Sequence, residues 1–156
     1  MRVLFMCTAN SCRSILSEAM FNHLAHHGFE AVSSGSLPKG QVLPRSLSTL
    51  QQAGISTEGL SSKGNEAFEG APPDIVITVC DKAASEACPV YFGPALQSHW
   101  GLEDPSDIVA DEATVDAAFR ATLARIKARC QAFFALPFDH LDREQLKHEL
   151  DRIGKL

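Results

Sequence analysis

Cys7 ends a short apolar run and Arg13 follows six positions later, in the segment Cys7-Thr8-Ala9-Asn10-Ser11-Cys12-Arg13-Ser14. A thiol and a guanidinium spaced this way around a loop suit a tetrahedral oxyanion with a nucleophile at the floor of its pocket. Backbone N–H groups at a helix start carry partial positive charge and lack partners, so they and an arginine fork can share the oxygens around one central atom. The same field favours the thiolate form of a cysteine. Taken alone, the segment would also fit a plain strand-to-helix turn with a buried cysteine. The spacing of thiol, loop and arginine between a strand and a helix is more demanding than that.

Two further thiols, Cys80 and Cys88, lie in Val79-Cys80-Asp81-Lys82-Ala83-Ala84-Ser85-Glu86-Ala87-Cys88-Pro89, whose polar and small residues suit a short helix or a loop. Were this stretch fully helical, the eight-residue offset would span about 12 Å. A disulfide needs Cα atoms within roughly 7 Å, so pairing the two would require the segment to unwind or loop, and a redox change would then also change its shape. Cys7, Cys12, Cys80 and Cys88 could in principle bind zinc. Neither pair has the short interval usual in structural zinc sites, however, and metal is not expected. Cys130 falls on an apolar helical stripe and reads as core. His23, His26 and His27 read as solvated helix positions, with no carboxylate at ligand spacing. Asp104 before Pro105 is a turn-forming pair that could project a carboxylic acid over a pocket.

The elements that must hold these groups alternate. Strands are expected at Val3 to Met6, Glu30 to Ser33, Asp74 to Val79 and near Gln97 to Trp100; the third is almost wholly β-branched, as in a strand buried on both faces. Helices are expected over Ile15 to His27, Pro44 to Ala53, Thr114 to Ala135 and Arg143 to Ile153, each with an apolar stripe at helical spacing. Residues 56–73 are rich in glycine, serine and proline and read as a long surface connection with one helical turn at most. This order predicts an α/β fold: an open four-stranded parallel sheet with helices on both faces. Ligands of such sheets bind beyond the carboxyl ends of the strands where strand order reverses. If the strands ending before Cys7 and Cys80 are neighbours, about 4.8 Å apart, their sulfurs emerge on one edge within reach of each other.

The chain has 156 residues, enough for a single domain over 1–156 with a core that needs neither disulfides nor structural metal. A net charge of −5 without a lysine and arginine cluster argues against nucleic acid or an anionic membrane as partner. No apolar run approaches the roughly 20 residues of a membrane span, and the start carries no secretory pattern, so a cytoplasmic protein is expected. Five cysteines in such a chain point to thiol chemistry rather than a disulfide scaffold.

The segment from Cys7 to Ser14 resembles the signature of the low-molecular-weight protein tyrosine phosphatases, and Asn10-Ser11-Cys12-Arg13-Ser14 is closer in wording to the arsenate reductases that share their fold. The resemblance runs from Val3 to about Asp107 and on into the long helix. It departs at Ala9, where the family usually has glycine; a positive φ there would cost about 1 kcal/mol. Cys80, Cys88-Pro89 and His99-Trp100-Gly101-Leu102-Glu103-Asp104-Pro105 are similar to later segments of the thioredoxin-coupled arsenate reductases, with Cys88 one residue further on than that pattern has it.

What the resemblance implies is a reductase. Cys7 would attack arsenate held by the amides of Thr8, Ala9, Asn10, Ser11, Cys12, Arg13 and Ser14 and by the Arg13 side chain. The Ser11 and Ser14 hydroxyls would steady the thiolate and Asp104 would act as acid. A disulfide relay from Cys7 to Cys80 to Cys88 would follow, reset by an external dithiol, either thioredoxin or a glutathione and glutaredoxin system, with no bound cofactor. Cys12 matches a position where a thiol can protect the nucleophile. Some members hold potassium near the anion loop. Asn10 and Glu18 match part of that pattern and the other ligands do not align, so no ion is assigned. A monomer is expected. Two alternatives stay open: a low-molecular-weight phosphatase using Cys7, Arg13 and Asp104, and a non-catalytic anion or redox sensor. Ser106 follows Asp-Pro where the phosphatases commonly have tyrosine, and the chain has a single tyrosine and a single tryptophan with which to wall an aromatic pocket.

Overall fold

Strand β1, Arg2–Cys7, is buried from Val3 onward, as an apolar run at the centre of a sheet must be. A computed structural model of the chain describes residues 1–68, 70–81, 86, 91 and 93–156, so Cys88 lies outside the described residues. After β1 come α1 (Arg13–Leu24), β2 (Glu30–Gly35), α2 (Pro44–Gln52), β3 (Ile75–Thr78), β4 (Leu96–His99), α3 (Glu112–Phe134) and α4 (Arg143–Ile153). Among the described residues the sheet has four parallel strands in the order β2-β1-β3-β4. The chain thus leaves β1 to one side for β2 and returns to its other side for β3. The switch in direction falls where Cys7 ends β1, and Met6 lies opposite Thr78 in the β1–β3 register, which leaves Cys80 just past the end of the adjacent strand. The expected neighbourhood of the two sulfurs rests on that register.

Alternate β1 residues enter two clusters. Val3 and Phe5 pack with Leu16, Met20 and Phe21 of α1, Phe119, Leu123, Ile126, Cys130 and Phe133 of α3, and Leu150 and Ile153 of α4. Leu4 and Met6 join Val76 and Ala95 on the other face, with Val32, Phe68 and Tyr91 against them. Each fully buried Phe or Leu contributes on the order of 1.5–3 kcal/mol, so the large cluster anchors α1 and β1, the elements on either side of the anion loop. Among the described residues, the connection over 56–73 contains one short 3-10 turn, Asn65–Phe68.

The helix starts differ in an informative way. Asp111 caps α3 by accepting from Thr114 N at 2.8 Å, and Asp142 with Gln145 forms a capping box on α4. Helix α1 begins at Arg13, two residues before the apolar stripe, and its N-cap, Cys12, makes no side-chain capping bond. It also ends at Leu24, short of Gly28, whose φ of 91° turns the chain into β2. Among the described residues no side-chain cap satisfies the donors at the start of α1.

Candidate active site

The loop from Cys7 to Cys12 has its carbonyls turned outward and held there. Ser36 N donates to Cys7 O, Leu37 N to Thr8 O, Lys39 N and Ser62 Oγ to Ala9 O, Leu43 N and Ser46 Oγ to Ser11 O, and Leu16 N to Cys12 O, all at 2.8–3.2 Å. In a trans peptide the N–H points opposite its C=O, and there are no cis bonds here. The amides of Thr8, Ala9, Asn10, Cys12 and Arg13 are therefore presented to the inside of the loop. Asn10 N confirms the sense by donating to Cys7 Sγ at 3.3 Å.

Asn10 carries the one positive φ among the described non-glycine residues, 48°. Ala9 does not need one, so the departure from glycine at that position brings no left-handed strain. Asparagine tolerates this region better than other L residues because its side chain can bond locally. Here it bonds three ways: Oδ1 accepts from Lys63 N at 2.9 Å, while Nδ2 donates to Ser14 Oγ at 2.8 Å and Ser33 Oγ at 3.0 Å. The Lys63 amide fixes which end of the side chain is oxygen. Ser14 Oγ, already an acceptor from Asn10, also shares a hydrogen bond with Cys7 Sγ at 2.9 Å. Gly35, at the end of β2, lets the loop pass: a Cβ there would lie 2.5 Å from Thr8 O and 2.9 Å from Asn10 N.

Arg13 is buried and its fork is shared. Nη1 and Nη2 each donate to a Glu86 carboxylate oxygen at 2.6 Å, Nη1 also to Leu102 O at 3.2 Å, and Nη2 lies 3.4 Å from Asp104 Oδ2. Its buried Nε donates to no group among the described residues. Burial acts to lower the guanidinium's pKa, but the bonds to Glu86 and the charges of Asp104 and Glu86 outweigh it and hold the proton more firmly than usual. Asp104 is oriented by Ser106, whose N and Oγ both donate to Oδ1 at 3.0 and 2.6 Å. Ser106 thus fixes the orientation of the Asp104 carboxylate.

Residues 2–150 match the family described as low molecular weight phosphotyrosine protein phosphatase. The chain belongs to this family. A relative from Synechocystis sp. named glutaredoxin arsenate reductase is 29% identical over 134 residues, covering 86% of this chain and 96% of the relative. The solved arsenate reductase of Archaeoglobus fulgidus is similar with a TM-score of 0.66 and 25% identity, over 83% of this chain and 98% of that one. The thioredoxin-dependent arsenate reductase of Corynebacterium glutamicum aligns at TM-score 0.62 and 26% identity, over 85% of this chain and 59% of that one. All three are named arsenate reductases.

Of the thiols in this family member, Cys7, Cys12 and Cys130 are free and buried. Cys80 is fully buried and disulfide-bonded, its partner falling outside the described residues. Burial pushes the Cys12 thiol up to about 12, with Asp104 adding to the effect, and pushes Cys130 to about 12 as well. Both are thus held as neutral thiols at ordinary pH. Cys130 sits in the main core, where the helical stripe places it.

Sequence reasoning missed three contributors. Glu86 is an acid in an otherwise small-residue stretch, legible only as a solvated charge. Lys63 lies in the long connection, yet its ammonium stands 3.7 Å from Glu18 Oε1 and 3.5 Å from Ser33 Oγ, while Ser33 Oγ donates to Glu18 at 2.7 Å. Burial raises the Glu18 carboxyl's pKa, and Lys63 and Ser33 act to lower it. A protein ammonium therefore faces Glu18. Gly35 could have been flagged as a strand-terminal glycine facing the loop.

Proposed function

We propose that this chain is an arsenate reductase. Arsenate seats among the inward amides and the Arg13 guanidinium, and the Cys7 thiolate, held by Ser14 Oγ and Asn10 N, attacks arsenic while Asp104 gives a proton to the departing hydroxide. Cys80 then attacks the Cys7 sulfur. The arsenic–sulfur electron pair passes to arsenic, pentavalent arsenic becomes trivalent, and arsenite leaves a Cys7–Cys80 disulfide. Cys88 attacks Cys80 in turn, and an external dithiol, thioredoxin or glutaredoxin, reduces the Cys80–Cys88 bond by exchange in the cytoplasm.

The observation that carries this reading is Cys80: a disulfide-bonded cysteine just beyond the strand paired with β1, next to the end that bears Cys7. A phosphatase needs no such bond. The same cradle would serve phosphate ester hydrolysis, but the single tryptophan is spent in the core, where Trp100 Nε1 donates to Leu150 O, and Tyr91 packs against the sheet beside Leu4 and Met6. Neither walls a cleft for an aryl ring.

The test is arsenate-dependent NADPH oxidation with thioredoxin and its reductase, and separately with the glutaredoxin system, beside aryl phosphate hydrolysis. Cys7→Ser, Cys80→Ser and Cys88→Ser should each abolish coupled turnover, with only the first abolishing residual phosphatase activity. Phosphatase activity that dominates and survives Cys80→Ser unchanged would overturn the reductase.

A further inference from the structure

The carboxylate paired in parallel with Arg13 belongs to Glu86, to which the relay proposed above gives no part. Glu86 puts both oxygens on the two terminal nitrogens of the guanidinium, each at 2.6 Å, in the parallel two-bond pairing that a tetrahedral oxyanion would itself adopt. Thr8 Oγ1, from the anion loop, lies 3.5 Å from Glu86 Oε1. We propose that Glu86 is an internal stand-in for the oxyanion, closing the Cys7 cradle while Cys80 is disulfide-bonded.

Charge and connectivity both support this assignment. One guanidinium faces two carboxylates, Glu86 and Asp104. With both ionised, an arriving oxyanion meets a side-chain charge that is already net negative, and Glu86 has to withdraw before Arg13 can serve the anion. Withdrawal is open to it, since its side chain is 24% exposed. The link to Cys80 runs through one residue. Asp81 N donates to Glu86 Oε2 at 2.8 Å, and Glu86 N donates back to Asp81 O at 3.1 Å. Asp81 directly follows Cys80, so the backbone that holds the Glu86 carboxylate in place is continuous with the disulfide. Reduction of that bond releases the backbone, and with it the plug. The consequence is ordered traffic: a spent enzyme neither recaptures an oxyanion nor exposes Arg13 until the external dithiol has acted.

This inference rests on Cys80 as the relay thiol, but its test needs no turnover. Inorganic phosphate is titrated calorimetrically into the full chain, oxidised and reduced, for the native protein, Glu86→Gln and Glu103→Gln. In the oxidised form Glu86→Gln should bind phosphate at least about 10-fold more tightly than the native chain, the loss of one charge-assisted pairing. The reduced forms of these two should agree within about 3-fold. Glu103→Gln, which removes an exposed charge beside Asp104 without touching Arg13, should leave the oxidised affinity where it was. Equal affinities of oxidised native and Glu86→Gln chains overturn the proposal, as does an equal gain in both redox states or an equal gain from Glu103→Gln. A chain that fails to reduce arsenate yet shows this pattern would refute the reductase and keep the plug.

Discussion

Ser14 Oγ lies 2.9 Å from Cys7 Sγ and accepts from Asn10 Nδ2, which leaves its hydrogen free to donate to a Cys7 thiolate. A hydrogen bond to a charged group is worth about 1.5–3 kcal/mol. Ser14→Ala should therefore slow alkylation of Cys7 by iodoacetate at neutral pH by about 10-fold or more, read by mass spectrometry of the Cys7 peptide in the reduced chain. An unchanged rate would mean that the hydroxyl does not steady the thiolate.

Asn10 offers a way to separate backbone from side chain. Asn10→Gly keeps the left-handed conformation and loses the bonds to Lys63, Ser14 and Ser33; Asn10→Ala loses both. Denaturant unfolding should place the alanine variant about 1 kcal/mol below the glycine variant. Equal stabilities would show that the loop can relax to a negative φ.

Gly35→Ala should damage the cradle, because the added carbon meets backbone of the anion loop from 2.5 Å, and backbone cannot swing aside as a side chain can. A loss of about 1–3 kcal/mol is expected, together with loss of phosphate binding in calorimetry. Gly70→Ala, whose Cβ would meet nothing within 4 Å, should be close to neutral and serves as the comparison.

Acid separates the Arg13–Glu86 pair in a defined window. The bonds from Arg13, with the Asp81 amide assisting, hold the Glu86 carboxyl below the usual carboxylate range despite partial burial. A carboxylate lowered on folding adds stability that is complete above its unfolded value, about 4.3, and lost as pH falls through the lower folded value. Chemical denaturation of the oxidised chain between pH 6 and pH 2 should therefore show a component of about 1 kcal/mol that Glu86→Gln removes. A pH profile identical for the two chains would place the stabilisation elsewhere.

Much of this was legible before any coordinates. Strand β1 and the parallel order follow from unbroken apolar runs alternating with helical stripes, and α4 runs over Arg143–Ile153 as its pattern requires. The spacing and turn chemistry also pointed to Arg13 and Asp104, which lie 3.4 Å apart beside the loop that starts at Cys7. The start of α1 was less legible, because it is set by amides committed to the loop interior rather than by a capping side chain. Glu86 and Lys63 escaped because pairing between residues 73 and 45 positions apart from their partners Arg13 and Glu18 leaves no periodic trace in a single sequence. The left-handed residue was expected, if anywhere, at Ala9; which peptide of a loop inverts depends on the donors outside it.

Those outside donors, from residues 36–46 and 62, reach further than the loop they surround. An eight-residue signature grafted onto another strand–helix junction would lack the scaffolding that splays its peptides. Anion capture is in that sense a property spread over half the chain's first seventy positions, and a homologue that kept the thiol and the arginine but rebuilt its flanks would have lost the receptor while still looking like one.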